Sequence, residues 1–312
     1  MFANFFWLSA IAQQKDFEGI ITYKVGLKSK TEDISEKVLK NNLALDKEVV
    51  IYLKHGNYLF RTGICDQYSN PAKEMIYVKF NGIDTLYYLA YNSDTSTLLG
   101  VKKLPEEKTI AGNLCKSILV ETAGSSKKYF YAPGLYMNPE YDRNYKIGRV
   151  DVYTRETSSI WLASYEENET YSLSYECTRL EKKELEDNVF DLPKLPEVEL
   201  SFERLRKPPE FSRPGGWLKY LNSSLNPELG LKYLKIPKGE TLGTETVIVR
   251  FLINEYGRVS KINVVNKKEV HPKLADEAVR VITESPPWKP ATIFGQKTIY
   301  WYNQPVTFQV SK

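Results

Sequence analysis

Residues that could do side-chain chemistry are plentiful in this chain, Ser and Asp among them, but their spacing forms no recognisable catalytic set. Only two histidines occur, His55 and His271, and no cysteine pair has CxxC spacing, so neighbouring residues assemble no zinc-type ligand set. There is no GxSxG elbow with partners for a nucleophilic triad and no glycine-rich phosphate loop. Glu245 and Glu255 fit no acid–base pairing pattern. The expectation is therefore no enzyme, no metal and no cofactor. What remains is backbone chemistry. Residues 298–310, TIYWYNQPVTFQV, read as a long strand with a proline at 305. Proline lacks an N–H, so it suits an edge strand and argues against a central one. An edge strand offers unpaired N–H and C=O groups to an incoming strand. On this reading Tyr302, Gln304, Val306, Phe308 and Val310 set the pockets beside a bound segment and are the expected partner-binding residues.

The elements that must hold this strand precede it. Val247 to Ile253 is a β-branched and aromatic run of strand length. Asn254-Glu255-Tyr256-Gly257 forms a tight turn in which Gly257 is free to take positive φ, and Val259 to Val265 alternates as a second strand. Pro272 suits the first turn of a helix; Leu274, Ala278, Val281 and Ile282 make its apolar stripe, and Pro286-Pro287 ends it. Trp217 to Leu225 is a shorter amphipathic helix with Leu218, Leu221 and Leu225 on one side. Trp288 is expected in the core, His271 exposed at a helix start, and Arg250 and Lys261 on a solvated face.

The first half reads differently. Strands are expected near residues 16–28, 49–54, 58–62, 75–80, 85–91, 108–111, 114–122, 127–131, 158–166 and 170–182, with turns at His55-Gly56-Asn57 and Asn81-Gly82. A modest helix is expected within 31–43, and 136–148 reads as an irregular excursion. Short strands at this spacing predict an antiparallel sheet that curls or closes. The chain has 312 residues and net charge +4, enough for two cores, with no basic cluster that would suit nucleic acid. Three cysteines, Cys65, Cys115 and Cys177, allow at most one disulfide and read as buried, inert thiols. MFANFFWLSAIA, residues 1–12, resembles a signal peptide, whole or truncated at its start, with cleavage before Gln13; a buried strand is the alternative. The predicted organisation is signal peptide 1–12, β domain 13–196, Pro-containing linker 197–216 and C-terminal domain 217–312.

Two resemblances extend this reading. FEGIITYKV, EEKTIAGNLCKSILVE and LEDNVFDLPKLP, marked by Lys108, Ile110, Gly112, Cys115, Lys116, Phe190 and Pro193, resemble the exported GLPGLI-type family over residues 17–196. That resemblance implies a curved half-barrel akin to lipoprotein carriers, with room for an apolar ligand. FSRPGGWLKYLNSSLNPELG, VIVRFLINEYGRVSKINVV, HPKLADEAVRVI, PPWKPATIFGQK and YNQPVTFQV resemble the C-terminal domain of TonB proteins over residues 211–310. It departs from that pattern at Tyr256, where Asp or Asn often stands, and at Ala291, where Gly is usual. The resemblance implies a small antiparallel sheet packed with two helices, which binds an extended segment of an outer-membrane transporter. The expected fold class is mainly β plus α+β. The expected function is periplasmic protein–protein recognition of an outer-membrane transporter or other envelope protein by strand pairing, without force transmission. Lipid or lipoprotein carriage by the N-terminal half-barrel is the alternative. Homodimerisation by edge pairing is left open.

Overall fold

The computed structural model describes residues 14–32, 34–201 and 205–312. The signal-peptide reading of residues 1–12 lies outside them. The chain divides into two units, Met1–Glu36 with Ala44–Leu200, and Lys37–Leu43 with Ser201–Lys312.

The first unit is one large open sheet. Its strands are β1 (Gly19–Ser29), β2 (Glu48–Lys54), β3 (Asn57–Arg61), β4 (Cys65–Asn70), β5 (Met75–Phe80), β6 (Leu86–Ala90), β7 (Leu98–Ile110), β8 (Asn113–Thr122), β9 (Ser126–Tyr136), β10 (Ser159–Glu167), β11 (Tyr171–Lys182) and β12 (Glu197–Glu199). They lie in the order β12-β6-β5-β4-β3-β2-β1-β11-β10-β9-β8-β7, and only the β12–β6 pair is parallel. In β1, Ile21, Tyr23, Val25 and Leu27 alternate into the core, as period-2 patterning requires. His55 and Gly56 both take left-handed backbone, with φ of 48° and 74°, as a two-residue hairpin turn demands.

Three features differ from the sequence reading. β4, CDQYSN, is a strand although it is polar. It is paired on both sides, by β3 and β5, and Cys65 and Ser69 are buried. β7 begins ten residues earlier than expected, at Leu98, and carries a bulge between Leu104 and Glu107. The excursion after β9 contains a helix, α2 (Val150–Thr157), preceded by short 3-10 turns at Pro139–Asp142 and Ile147–Arg149. (The earlier helix, α1, is Glu36–Asn42.) The excursion is tied down at several places. Tyr141 Oη donates to Asp16 Oδ2 at 2.8 Å, the Lys146 amide to Tyr91 O at 2.8 Å, and Tyr58 Oη to Tyr145 Oη. The ladder is therefore left open, while this segment crosses from the β1 end to β3 and β6. All three cysteines are free and buried, and burial pushes the Cys65 and Cys177 thiols up to about 11.

The stretch expected as a linker is hydrogen-bonded at three places. β12 adds to β6, β13 (Arg206–Lys207) pairs β18 (Thr292–Ile293), and β14 (Glu210–Phe211) pairs β17 (Trp288–Lys289). The second unit is a three-stranded antiparallel sheet, β16 (Val259–Val264), β15 (Leu242–Ile253) and β20 (Tyr300–Ser311), in that order; β19 (Gln296–Lys297) pairs β18. Helices α3 (Gly216–Ser224), α4 (Pro227–Tyr233) and α5 (Pro272–Thr283) complete it. Val247, Val249, Phe251 and Ile253 meet Leu274, Ala278, Val281 and Ile282 of α5 in the core. The buried face of α3 is Trp217 and Leu221, whereas Leu218, expected beside Leu221, is 68% exposed. Glu277 is buried on α5. Its Oε1 accepts from the Asn226 amide at 2.8 Å, and Arg280 bridges it to Ser224 O, so α5 is stitched to the α3–α4 junction.

Gly257 is the residue on which the β15–β16 turn depends. Its φ is 77°, and a Cβ there would lie 1.8 Å from the Trp288 carbonyl oxygen; the Trp288 amide donates to Gly257 O at 2.8 Å. Gly257→Ala should destabilise the second unit by more than about 1 kcal/mol, since both the positive φ and the close backbone approach are lost. Denaturant unfolding checks this, and an unchanged midpoint would contradict it.

Candidate functional site

β20 lies at the edge of its sheet, paired only with β15 among the described residues. Ladder parity decides which of its groups face outward. Ile248 pairs with Pro305, yet the Ile248 N–H donates to Asn266 Oδ1 at 2.9 Å and its C=O accepts from the Val265 amide at 2.8 Å. Both groups of Ile248 thus point away from β20, so Ile248–Pro305 is a non-hydrogen-bonded pair. The same parity runs through Leu252–Trp301, Arg250–Asn303 and Thr246–Thr307. The backbone of Trp301, Asn303, Pro305 and Thr307 therefore faces the open edge, and the missing N–H of Pro305 falls where no β15 acceptor needs it. The Pro305 carbonyl accepts from Gln304 Nε2 at 2.6 Å, while Gln304 Oε1 accepts from Trp217 Nε1 at 2.7 Å. A Cβ on Gly230 of α4 would lie 3.5 Å from Gln309 O, so that helix flanks the far end of the edge. The free run is Trp301 to Thr307, interrupted at Pro305.

The side chains expected at the site lie on the other face. Gln304, Val306 and Phe308 are buried, and Tyr302 and Val310 are half-buried. Tyr302 stacks on Phe251 at 5.5 Å beside Trp288. Tyr302, Val306 and Phe308 thereby anchor the strand to the core. The residues beside the open edge are Trp301, Asn303, Pro305 and Thr307, all exposed. The signal that separates the two sets was available: the more apolar alternate set belongs inside. Arg250 and Lys261 are exposed as expected, and the Arg250 guanidinium lies 4.6 Å over the Trp301 ring. Trp288 is in the core, 4% exposed. His271, expected to be exposed, is half-buried: it stacks on Tyr233 at 4.5 Å, and its Nδ1 caps α5 by accepting from the Lys273 amide at 3.2 Å. Among the described residues no group of three or more His, Cys, Asp or Glu could hold a metal, and no helix is long and apolar enough to cross a membrane.

The first unit holds a cavity of about 370 Å³ between its sheet and the excursion after β9. Ile51, Met137, Ile160 and Trp161 supply apolar wall, and Lys127 and Asp142 also line it. Lys127 Nζ is 3.6 Å from Glu166 Oε2. Asp142 is 3% exposed, and its carboxyl has no hydrogen-bond partner among the described residues. Burial, with Asp151 as a like charge nearby, raises its pKa to about 7. Nothing in the sequence marks this residue; its setting depends on the excursion folding back.

Comparison with known proteins gives one family match. Residues 244–310 match the family described as Gram-negative bacterial TonB protein C-terminal. A search of curated proteins returned no match. Two solved structures of PNGF-II are similar at 10% and 11% identity, with TM-scores of 0.36 and 0.37, covering 77% and 76% of this chain and 45% and 43% of theirs. The chain thus spans less than half the length of those chains, and at such scores the likeness carries no inference.

The Asp142 setting has a pH signature. Its folded-state pKa lies above the ordinary carboxylate value, so between about pH 4 and 7 the folded chain holds a proton that the unfolded chain has lost. Stability of the first unit should be greatest at the acid end of that window and fall, by up to a few kcal/mol, as pH rises through about 7. Asp142→Asn should flatten this slope. Urea unfolding of both proteins between pH 5 and 8 checks it; equal slopes would contradict the assignment.

Proposed function

We propose that this chain, whose residues 244–310 match the TonB C-terminal family, recognises an envelope partner by accepting an extended segment as a further strand beside β20. One observation carries the reading: the outward parity of Trp301, Asn303 and Thr307, which leaves their N–H and C=O groups aimed at open edge. Main-chain pairing supplies affinity in such additions, and the side chains flanking the edge supply selectivity. Trp301, Asn303 and Thr307 are those side chains here. An outer-membrane transporter presenting a periplasmic segment is the partner that the family match favours, and the periplasm is the compartment. The role is recognition; no catalytic step is assigned. A second copy pairing β20 with β20 would use the same groups and is the competing occupant. Carriage of a lipid or acylated ligand would draw on the first unit's cavity, which at about 370 Å³ is small among ligand pockets.

Removing the whole of β20 would be a poor test, because Val306 and Phe308 belong to the core. Asn303→Pro deletes one outward N–H and leaves every β15–β20 hydrogen bond in place. A photo-crosslinking residue at Thr307 in intact cells should trap an outer-membrane protein. The additional Asn303→Pro change should reduce the yield at least about tenfold, the loss of one main-chain bond plus its register. Trapping only a second copy of the chain, or an undiminished yield with the proline, would overturn the reading.

A further inference from the structure

The cavity of the first unit has a polar feature that the rest of the fold leaves unanswered. Four of its tyrosine hydroxyls are engaged with the protein: Tyr23 Oη donates to Trp161 O at 2.7 Å, Tyr153 Oη to Ser159 O at 2.8 Å, and Tyr58 Oη to Tyr145 Oη. Lys127, its cation, is matched by Glu166 at 3.6 Å and lies 5.2 Å over the Tyr129 ring. The Asp142 carboxyl is different. It is 3% exposed, lines the cavity, and has no hydrogen-bond donor among the described residues. The charge acting on it is Asp151, which repels it, and the nearby Arg149 is held by Asp151 at 3.1 Å. A buried carboxyl without a donor or counter-charge is held neutral at lower pH, and ionised it is costly unless a cation or donor completes it.

The surroundings specify what completes it. The Tyr58 and Tyr145 rings stack at 6.2 Å, and Tyr91 stacks on Tyr145 at 4.4 Å. Aromatic faces carry negative potential and attract cations, most strongly where water is excluded. The remaining wall, Ile51, Met137, Ile160 and Trp161, suits an apolar body. Ile147 is half-exposed and Gly148 exposed beside the cavity, which places solvent at that side. A carboxylate ligand would instead need Lys127, which already has Glu166.

We propose that the cavity of the first unit binds a small protonated organic amine, its ammonium against Asp142 and the tyrosine rings and its apolar body against Met137, Ile160 and Trp161. This is independent of the strand-edge reading of the second unit. It differs from carriage of an acyl chain, because the recognised group is a cation.

Calorimetric titration of the full chain near pH 8 with three probes of similar shape tests it: phenethylammonium, 2-phenylethanol and 3-phenylpropionate. The amine should bind one per chain, at least about tenfold tighter than the alcohol. Asp142→Asn, which removes a charge from the interior and should fold, is expected to abolish that preference, while Lys127→Met leaves it. Tighter binding of the propionate, lost in Lys127→Met, would overturn the proposal. So would equal binding of all three probes, or no binding of the amine at millimolar concentration. The wild-type probe series decides the matter even if a variant folds poorly.

Discussion

Ile248 sends both its backbone groups toward β16 and its neighbour, and that one local choice orients the whole closing strand. Because strand groups alternate, the Ile248–Pro305 pair puts every second residue of β20 outward and every other residue into the ladder with β15. The same parity sends Gln304, Val306 and Phe308 into the core and leaves Trp301, Asn303, Pro305 and Thr307 on the solvent side. A register slip of one residue would reverse both assignments and bury the proline's missing donor in the ladder. Pro305 is tolerated only in the register observed. Gln304 then reinforces it, reaching from Trp217 on one side to the Pro305 carbonyl on the other. The edge is therefore rigidly backed, and its only gap is at the proline.

The two units solve the problem of exposed strand edges differently. In the first, β12 arrives in parallel to cover β6, and the excursion after β9 crosses the sheet without entering the ladder. That crossing segment turns a sheet face into a cavity and buries a carboxylate there. In the second, the hydrophobic cluster around Phe251, Trp217 and Trp288 sits directly behind β20, so the strand cannot leave without opening the core. An edge held this firmly is preorganised, and a segment joining it bears little of the ordering cost of the edge itself.

How much of this could be read from the residues depends on where local pattern and tertiary setting agree. Val247 to Ile253, Gly257 and the α5 stripe were legible because burial, turn conformation and helical spacing each leave a local mark. β4 was not, because CDQYSN carries no β-branched residue and is a strand through its two neighbours. α2, VDVYTRET, was hidden behind an irregular approach, and Asp142 acquires its setting only when that approach folds over the sheet. At the edge, proline identified the strand but did not assign its faces. The alternate set Tyr302, Gln304, Val306, Phe308 and Val310 is the more apolar one, and it faces inward. Leu218 misled in a similar way, since an i, i+3, i+7 leucine spacing competed with the Trp217–Leu221 face that the core uses.

In the isolated chain the outward backbone groups of Trp301, Asn303 and Thr307 are left open on the β20 edge, and a partner strand would pair them. Residue-resolved amide exchange measures this directly. In the free protein the amides of Asn303 and Thr307 should exchange fast, between slowly exchanging Tyr302, Gln304, Val306 and Phe308. Adding a peptide from the periplasmic segment of an outer-membrane transporter should slow Asn303 and Thr307 selectively. Protection of those two amides in the free monomer, or no change in them when the peptide binds, would contradict the account.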